Sequence, residues 1–133
     1  MSVPFKVDLS GKVAVVTGGG GILCSVMAQA LAECGAKVAI LDLREENAAK
    51  AAAEITKAGG TAIGVAANVL ELESLRAAEA KIRAAFGKCD ILINGAGGNH
   101  PKGTTSKEYL FPEDLVNKPE NLNTFFDLDP AGV

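Results

Sequence analysis

Four short apolar runs constrain this chain more than anything else in it. Lys12-Val13-Ala14-Val15-Val16, Lys37-Val38-Ala39-Ile40-Leu41, Thr61-Ala62-Ile63-Gly64-Val65-Ala66 and Asp90-Ile91-Leu92-Ile93 show no polar alternation. A strand with one wet face alternates polar and apolar residues, so the first two runs predict strands buried on both sides, and the last two read as a third and a fourth strand. Between them, apolar residues recur at helical spacing. From Ile22 to Cys34, Leu23, Met27 and Leu31 fall on one stripe with Val26 and Ala30 beside it, and Gly35 ends the helix. Arg44 to Lys57 is alanine-rich, with Ala48, Ala52 and Ile55 facing inward and Gly59-Gly60 as the stop. Glu71 to Phe86 is apolar at Leu75, Ala78, Ile82 and Phe86. Strands alternating with helices give an α/β fold with a parallel sheet and right-handed crossovers.

Four strands and three helices are the N-terminal portion of a Rossmann-type doubly wound sheet, whose complete form has two βαβαβ halves. The expected core is residues 1–97. From 98 to 133 polar and turn residues dominate, with Pro101, Pro112 and Pro119 interrupting any long element. That stretch reads as an irregular insertion, with Thr124-Phe125-Phe126 starting a further helix. The first two helices should cover one face of the sheet and the third the other, leaving strands one and four poorly covered there. Strand four would be an open apolar edge. The chain is therefore expected to be an incomplete domain from a longer protein, oligomeric when complete.

The charges exclude some partners. Net charge is −3 without a basic cluster, which argues against nucleic acid. Met1 to Lys6 lacks the apolar run of a signal peptide and no stretch is long enough to span a membrane, so the cytoplasm is the expected compartment. Cys24, Cys34 and Cys89 have no metal-ligand spacing and read as small hydrophobes.

Between the first strand and the first helix lies Thr17-Gly18-Gly19-Gly20-Gly21. Glycines there let backbone approach a pyrophosphate, and the helix start supplies free N–H groups and a positive dipole end. Any strand-to-helix turn favours glycine, so the acid closing the next strand matters. Asp42 lies 24 residues after Gly18. Its carboxylate can accept hydrogen bonds from both hydroxyls of an adenosine ribose, and its charge repels a 2′-phosphate. NAD is favoured over NADP on this reading. Arg44 is the contrary sign, because a nearby Arg accommodates that phosphate.

Thr17-Gly18 after strand one, Asp42 after strand two, Asn68-Val69 after strand three and Asn94-Gly95-Ala96-Gly97 after strand four resemble the short-chain dehydrogenase/reductase family. The resemblance covers the first 100 residues or so. It implies a hydride transfer between nicotinamide and a secondary alcohol or ketone of a small-molecule substrate. It also implies a cofactor-contacting set of Gly18, Gly20, Gly21, Ile22, Asp42, Leu43, Asn68, Val69, Asn94, Ala96 and Gly97. The segment beyond Gly97, ending Phe125-Phe126-Asp127-Leu128-Asp129-Pro130, is similar to the mannonate (fructuronate) oxidoreductase branch. Two positions depart from the family: Ile22 and Cys24 stand where its turn carries later glycines. The family's catalytic Ser and Tyr-x-x-x-Lys are absent. Tyr109 is followed four residues on by Glu113, so no catalytic residue is assigned to this chain. His100 is a candidate for the substrate pocket or, equally simply, a solvated loop histidine. The alternative to an enzyme is a dinucleotide-binding module without catalysis, or a subunit completed by a partner.

Overall fold

A computed structural model describes residues 7–98, 100–129 and 132. The chain divides into two compact units, one ending at Ala96 and the other beginning at Gly97.

The first unit runs β1 (Val13–Thr17), α1 (Ile22–Glu33), β2 (Lys37–Asp42), α2 (Glu45–Lys57), β3 (Thr61–Ala66), α3 (Leu72–Phe86) and β4 (Ile91–Asn94). All strands are parallel, in the order β3-β2-β1-β4. Thr17 pairs with Leu41 on one side and with Asn94 on the other, so three strands end level. That common rim is where the loops after β1, β2 and β4 meet. It is the sheet end at which open α/β folds place their ligands.

Alternate residues of β1 and β2 face opposite cores, which is why polar side chains stand only at the strand ends, Thr17, Lys37 and Asp42. Ala14, Val16, Val38 and Ile40 pack with Ala28, Ala48, Ala52 and Ile55 under α1 and α2. Val13, Val15, Ala39 and Leu41 pack with Val65, Ala78 and Ile82 under α3. The second core thins toward β4, where Leu92 is 56 % exposed at the sheet edge.

One expected face is corrected. In α1 the stripe Leu23–Met27 lies outward, 75 % and 45 % exposed, and only Ala28 is fully buried. Cys24, Leu31 and Ala32 complete its contact with the core. The helix is turned about one residue from the face its large side chains suggest. Small side chains let α1 lie close to β1, and the glycine turn sets where the helix enters.

The second unit has little regular structure: 3-10 turns at Pro101–Gly103 and Phe125–Asp127 and a five-residue helix, α4 (Pro112–Val116). Pro112 starts α4 where a missing N–H costs nothing. The helix expected to open at Thr124 is one 3-10 turn, because Asp127 folds back on it. Its carboxylate accepts from the Thr124 N–H (2.8 Å) and hydroxyl (2.6 Å) and pairs with Lys118. Those partners hold the Asp127 carboxyl at about 2. The buried Asp114 carboxylate likewise takes Lys107 at 2.6 Å and the Phe111 N–H at 3.1 Å. Asn123 ties the turn segments together, its amide donating to the Thr104 carbonyl at 2.7 Å.

Candidate functional site

At the rim of the sheet the glycine turn contacts two neighbouring loops. Gly18 has φ +65°, a left-handed conformation, and a side chain there would put its Cβ 2.8–2.9 Å from the backbone of Gly95 and Ala96. Only glycine fits both constraints. The Gly19 N–H donates to the Leu41 carbonyl at 3.0 Å, and the Gly21 N–H to the Gly18 carbonyl at 3.0 Å. The turn is thereby tied to β2 and closed on itself. Gly21 caps α1 without a side-chain acceptor, which leaves the first N–H groups of a 12-residue helix directed at the rim.

Thr17 holds the other side of the cleft. Its buried hydroxyl accepts the N–H groups of both Gly95 and Ala96, each at 3.1 Å. Sequence reasoning quoted Thr17 as part of a motif and gave it no role. A buried hydroxyl closing an otherwise apolar strand was the available signal. Asn94 and Ala96 lie on this bridged segment. Asn94 is the last residue of β4, opposite Thr17. Between them, Gly95 makes room for Cys24: a Cβ at Gly95 would stand 2.2 Å from the Cys24 sulfur. The cysteine where the family has glycine is thus accommodated by a glycine across the cleft, and its thiol faces the Gly95 carbonyl at 3.8 Å.

Asp42 ends β2 beside the turn, half-buried. One carboxylate oxygen accepts the Gly20 N–H (3.2 Å) and the other the Arg44 N–H (3.0 Å). Each oxygen keeps a second lone pair for another donor. Flanking this group, Ile22 is 87 % and Leu43 71 % exposed. These are two apolar side chains held out at the rim.

Asn68 follows β3, and its amide organises its own turn. The carbonyl oxygen accepts the Leu70 N–H at 3.1 Å and the nitrogen donates to Glu71 at 2.9 Å, launching α3. A second lone pair and a second amide hydrogen remain. Val69 lines a hollow of about 550 Å³ with Val15, Thr17, Leu41, Leu75, Leu92 and others. This hollow lies between α3 and the β1–β4 edge.

In the second unit, Gly97 is exposed with φ +153°. His100 is exposed, and its Nδ1 accepts the Lys102 N–H at 3.2 Å, capping the first 3-10 turn. Tyr109 is 67 % exposed. Among the described residues no group of three His, Cys, Asp or Glu side chains is placed to hold a metal, and no helix is long and apolar enough to cross a membrane.

The chain resembles known proteins along its whole length. It is 45 % identical over 133 residues to an uncharacterized oxidoreductase of Haemophilus influenzae. It is 47 % identical over 130 residues to the uncharacterized oxidoreductase UxuB of Bacillus subtilis. It covers essentially all of itself and 45 % of each relative, so it spans about half the length of the curated proteins it matches. Among solved structures it superimposes on a provisionally assigned D-mannonate oxidoreductase of Haemophilus with bound NAD. That match has TM-score 0.79 and 47 % identity over 94 % of this chain and 43 % of that one. An Escherichia coli hydroxysteroid dehydrogenase follows at TM-score 0.68 and 33 % identity, covering 71 % of this chain and 40 % of that one. The family model for short chain dehydrogenases matches residues 12–121, from the residue before β1 into the second unit. This chain belongs to the short-chain dehydrogenase family.

Proposed function

We propose that this chain forms the cofactor-holding part of an oxidoreductase that moves a hydride between NAD and a secondary alcohol or its ketone. One observation carries the cofactor assignment: the Asp42 carboxylate stands beside the glycine turn, fixed by the Gly20 and Arg44 N–H groups, with a lone pair free on each oxygen. Two adjacent acceptors at the end of β2 suit the two hydroxyls of an adenosine ribose, and their charge disfavours a 2′-phosphate. The residues present fit the rest of a dinucleotide. Backbone without side chains at Gly18 to Gly21 and the uncapped start of α1 suit a pyrophosphate. Ile22 and Leu43 offer apolar contact to the adenosine, with Asn68 and Val69 beyond β3, while Asn94 ends β4 and Ala96 follows it in the segment bridged by Thr17. When bound, the cofactor supplies or takes the hydride. The chain's part is to hold and orient it.

Similarity to the Haemophilus D-mannonate oxidoreductase favours a sugar acid of the mannonate or fructuronate kind as substrate. The proton donor to the substrate oxygen belongs to the length of the relatives that this chain does not span, since no Tyr-x-x-x-Lys occurs in it. Calorimetric titration with NAD and NADP tests the cofactor reading. NAD is expected to bind the more tightly, and failure to bind either overturns it. An NADH-consumption assay with fructuronate and a panel of ketoses tests the division of labour. Turnover by a monodisperse monomer of residues 1–133 overturns the missing-donor reading.

A further inference from the structure

The cofactor reading leaves Arg44 unexplained: a cation two residues from the ribose acid should weaken the preference for NAD. The structure shows what holds it. Arg44 is the N-cap of α2 and Asn47 lies one turn on, its backbone N–H bonded to the Arg44 carbonyl at 3.1 Å. Turned so that its oxygen rather than its nitrogen faces the guanidinium, the orientation these neighbours favour, the Asn47 amide accepts from both Nε and Nη2 of Arg44, each at 3.0 Å. The guanidinium fork thus closes on a neutral amide. Among the described residues no ion pair joins Arg44 to the Asp42 carboxylate two positions away, although the Arg44 backbone already donates to it.

Asn47 also sits against the site itself. A Cβ at Gly20 would fall 2.6 Å from Cβ of Asn47 and 2.8 Å from the Asp42 carboxylate. Gly20, Asp42 and Asn47 therefore form one packed group, and Asn47 links the phosphate-side turn to Arg44. From this geometry we infer that Asn47 is a positioning residue for cofactor choice. By fastening the Arg44 guanidinium it leaves the Asp42 charge uncompensated toward a 2′-phosphate and keeps that guanidinium from serving the phosphate. Arg is suited to phosphate by its planar fork, so the same fork must be occupied for Asp42 to discriminate. The inference rests on the NAD reading above and adds the residue that sets its selectivity.

The test is calorimetric titration of the full chain and its variants with NAD and NADP, reading the ratio of the two dissociation constants. Asn47→Ala frees Arg44, and relative affinity for NADP should rise about tenfold, the size of one charge-assisted hydrogen bond. Arg44→Ala added to Asn47→Ala should cancel that rise. Asn47→Asp keeps the acceptor and should not raise relative NADP affinity. Arg44→Ala alone should move the ratio less than about twofold, because the guanidinium is already fastened. A purely structural role for Asn47 would weaken both cofactors together and leave the ratio still. That result with NAD still bound, or a rise that survives loss of Arg44, overturns the inference while sparing the NAD reading. If Asn47→Ala does not fold, a large loss of NADP binding in Arg44→Ala alone overturns it. Binding of neither cofactor by the parent chain overturns both.

Discussion

At the scale of single residues, the rim is held by a few polar atoms that each serve several backbone groups. Asp42 accepts two N–H groups from different loops, and Thr17 accepts two more across the cleft. Asp42→Ala removes both the ribose acceptor and the repelling charge. It should weaken NAD about tenfold or more while leaving NADP less affected, as titration with each cofactor will read. Thr17→Val keeps the shape of a side chain only 7 % exposed but orphans the Gly95 and Ala96 N–H groups. It should cost about 1–3 kcal/mol of stability in denaturant unfolding, with Thr17→Ser restoring most of it. Of these residues only Asp42 was given a role from sequence, since its offset from the glycine turn follows from the βαβ unit itself. Thr17 acts through partners 78 and 79 residues away and Asn47 through one side-chain orientation, and a linear pattern carries neither.

At the scale of elements, the close approach of α1 to the β4 loop is the most exacting contact. A Cβ at Gly95 would meet the Cys24 sulfur at 2.2 Å and the Thr17 carbonyl at 2.8 Å. Gly95→Ala should therefore destabilise the chain by about 1–3 kcal/mol. Cys24→Ala in the same background should recover part of the loss, because the backbone clash with Thr17 stays. Thermal unfolding of the two single variants and the pair gives that coupling. In the second unit the Phe125–Asp127 turn depends on an ionised Asp127, whose carboxyl is lowered from 3.8 to about 2 by Lys118 and Thr124. A lowered folded value means that the contribution is fully present above 3.8 and is lost as pH falls through about 2. An NMR titration of the carboxyl resonance should find the low midpoint, and Lys118→Met should move it upward. The strands were legible to within a residue because β1 and β2 are buried on both faces and all their inner positions are apolar. The partly exposed β3 and β4 still carry apolar runs bounded by polar or turn residues. The face of α1 was not. Its large residues suggested one stripe, while the close contact at Gly95 selects the small side chains of Cys24 and Ala28. The turns of the second unit rest on Asp127, Asp114 and Asn123 bonding to nearby chain, which no hydrophobic period announces.

At the scale of the whole molecule, the first unit ends its sheet on β4, with no strand beyond it among the described residues and Leu92 more than half exposed beside an apolar hollow. Edges of this kind are normally blunted by a charge, a proline or a bulge. The chain alone should therefore associate as its concentration rises, and Leu92→Lys should shift it toward monomer in light scattering. Unchanged association in that variant would place the contact elsewhere, with the outward Leu23 and Met27 of α1 the next surface to vary. The Thr17 bridge has a consequence in time. β1, β2 and β3 with their helices are joined by neighbours in sequence, so that three of the sheet's four strands close short loops as the chain grows. The hydroxyl of Thr17 meets its partners 78 and 79 residues later. A ribosome has built the glycine turn, Asp42 and all of α2 before the residues that close the cleft exist. Nascent chains released before Ala96 would carry three paired strands without the Thr17 bridge. On the cofactor reading proposed above, ligand then selects for chains in which this long-range closure has happened.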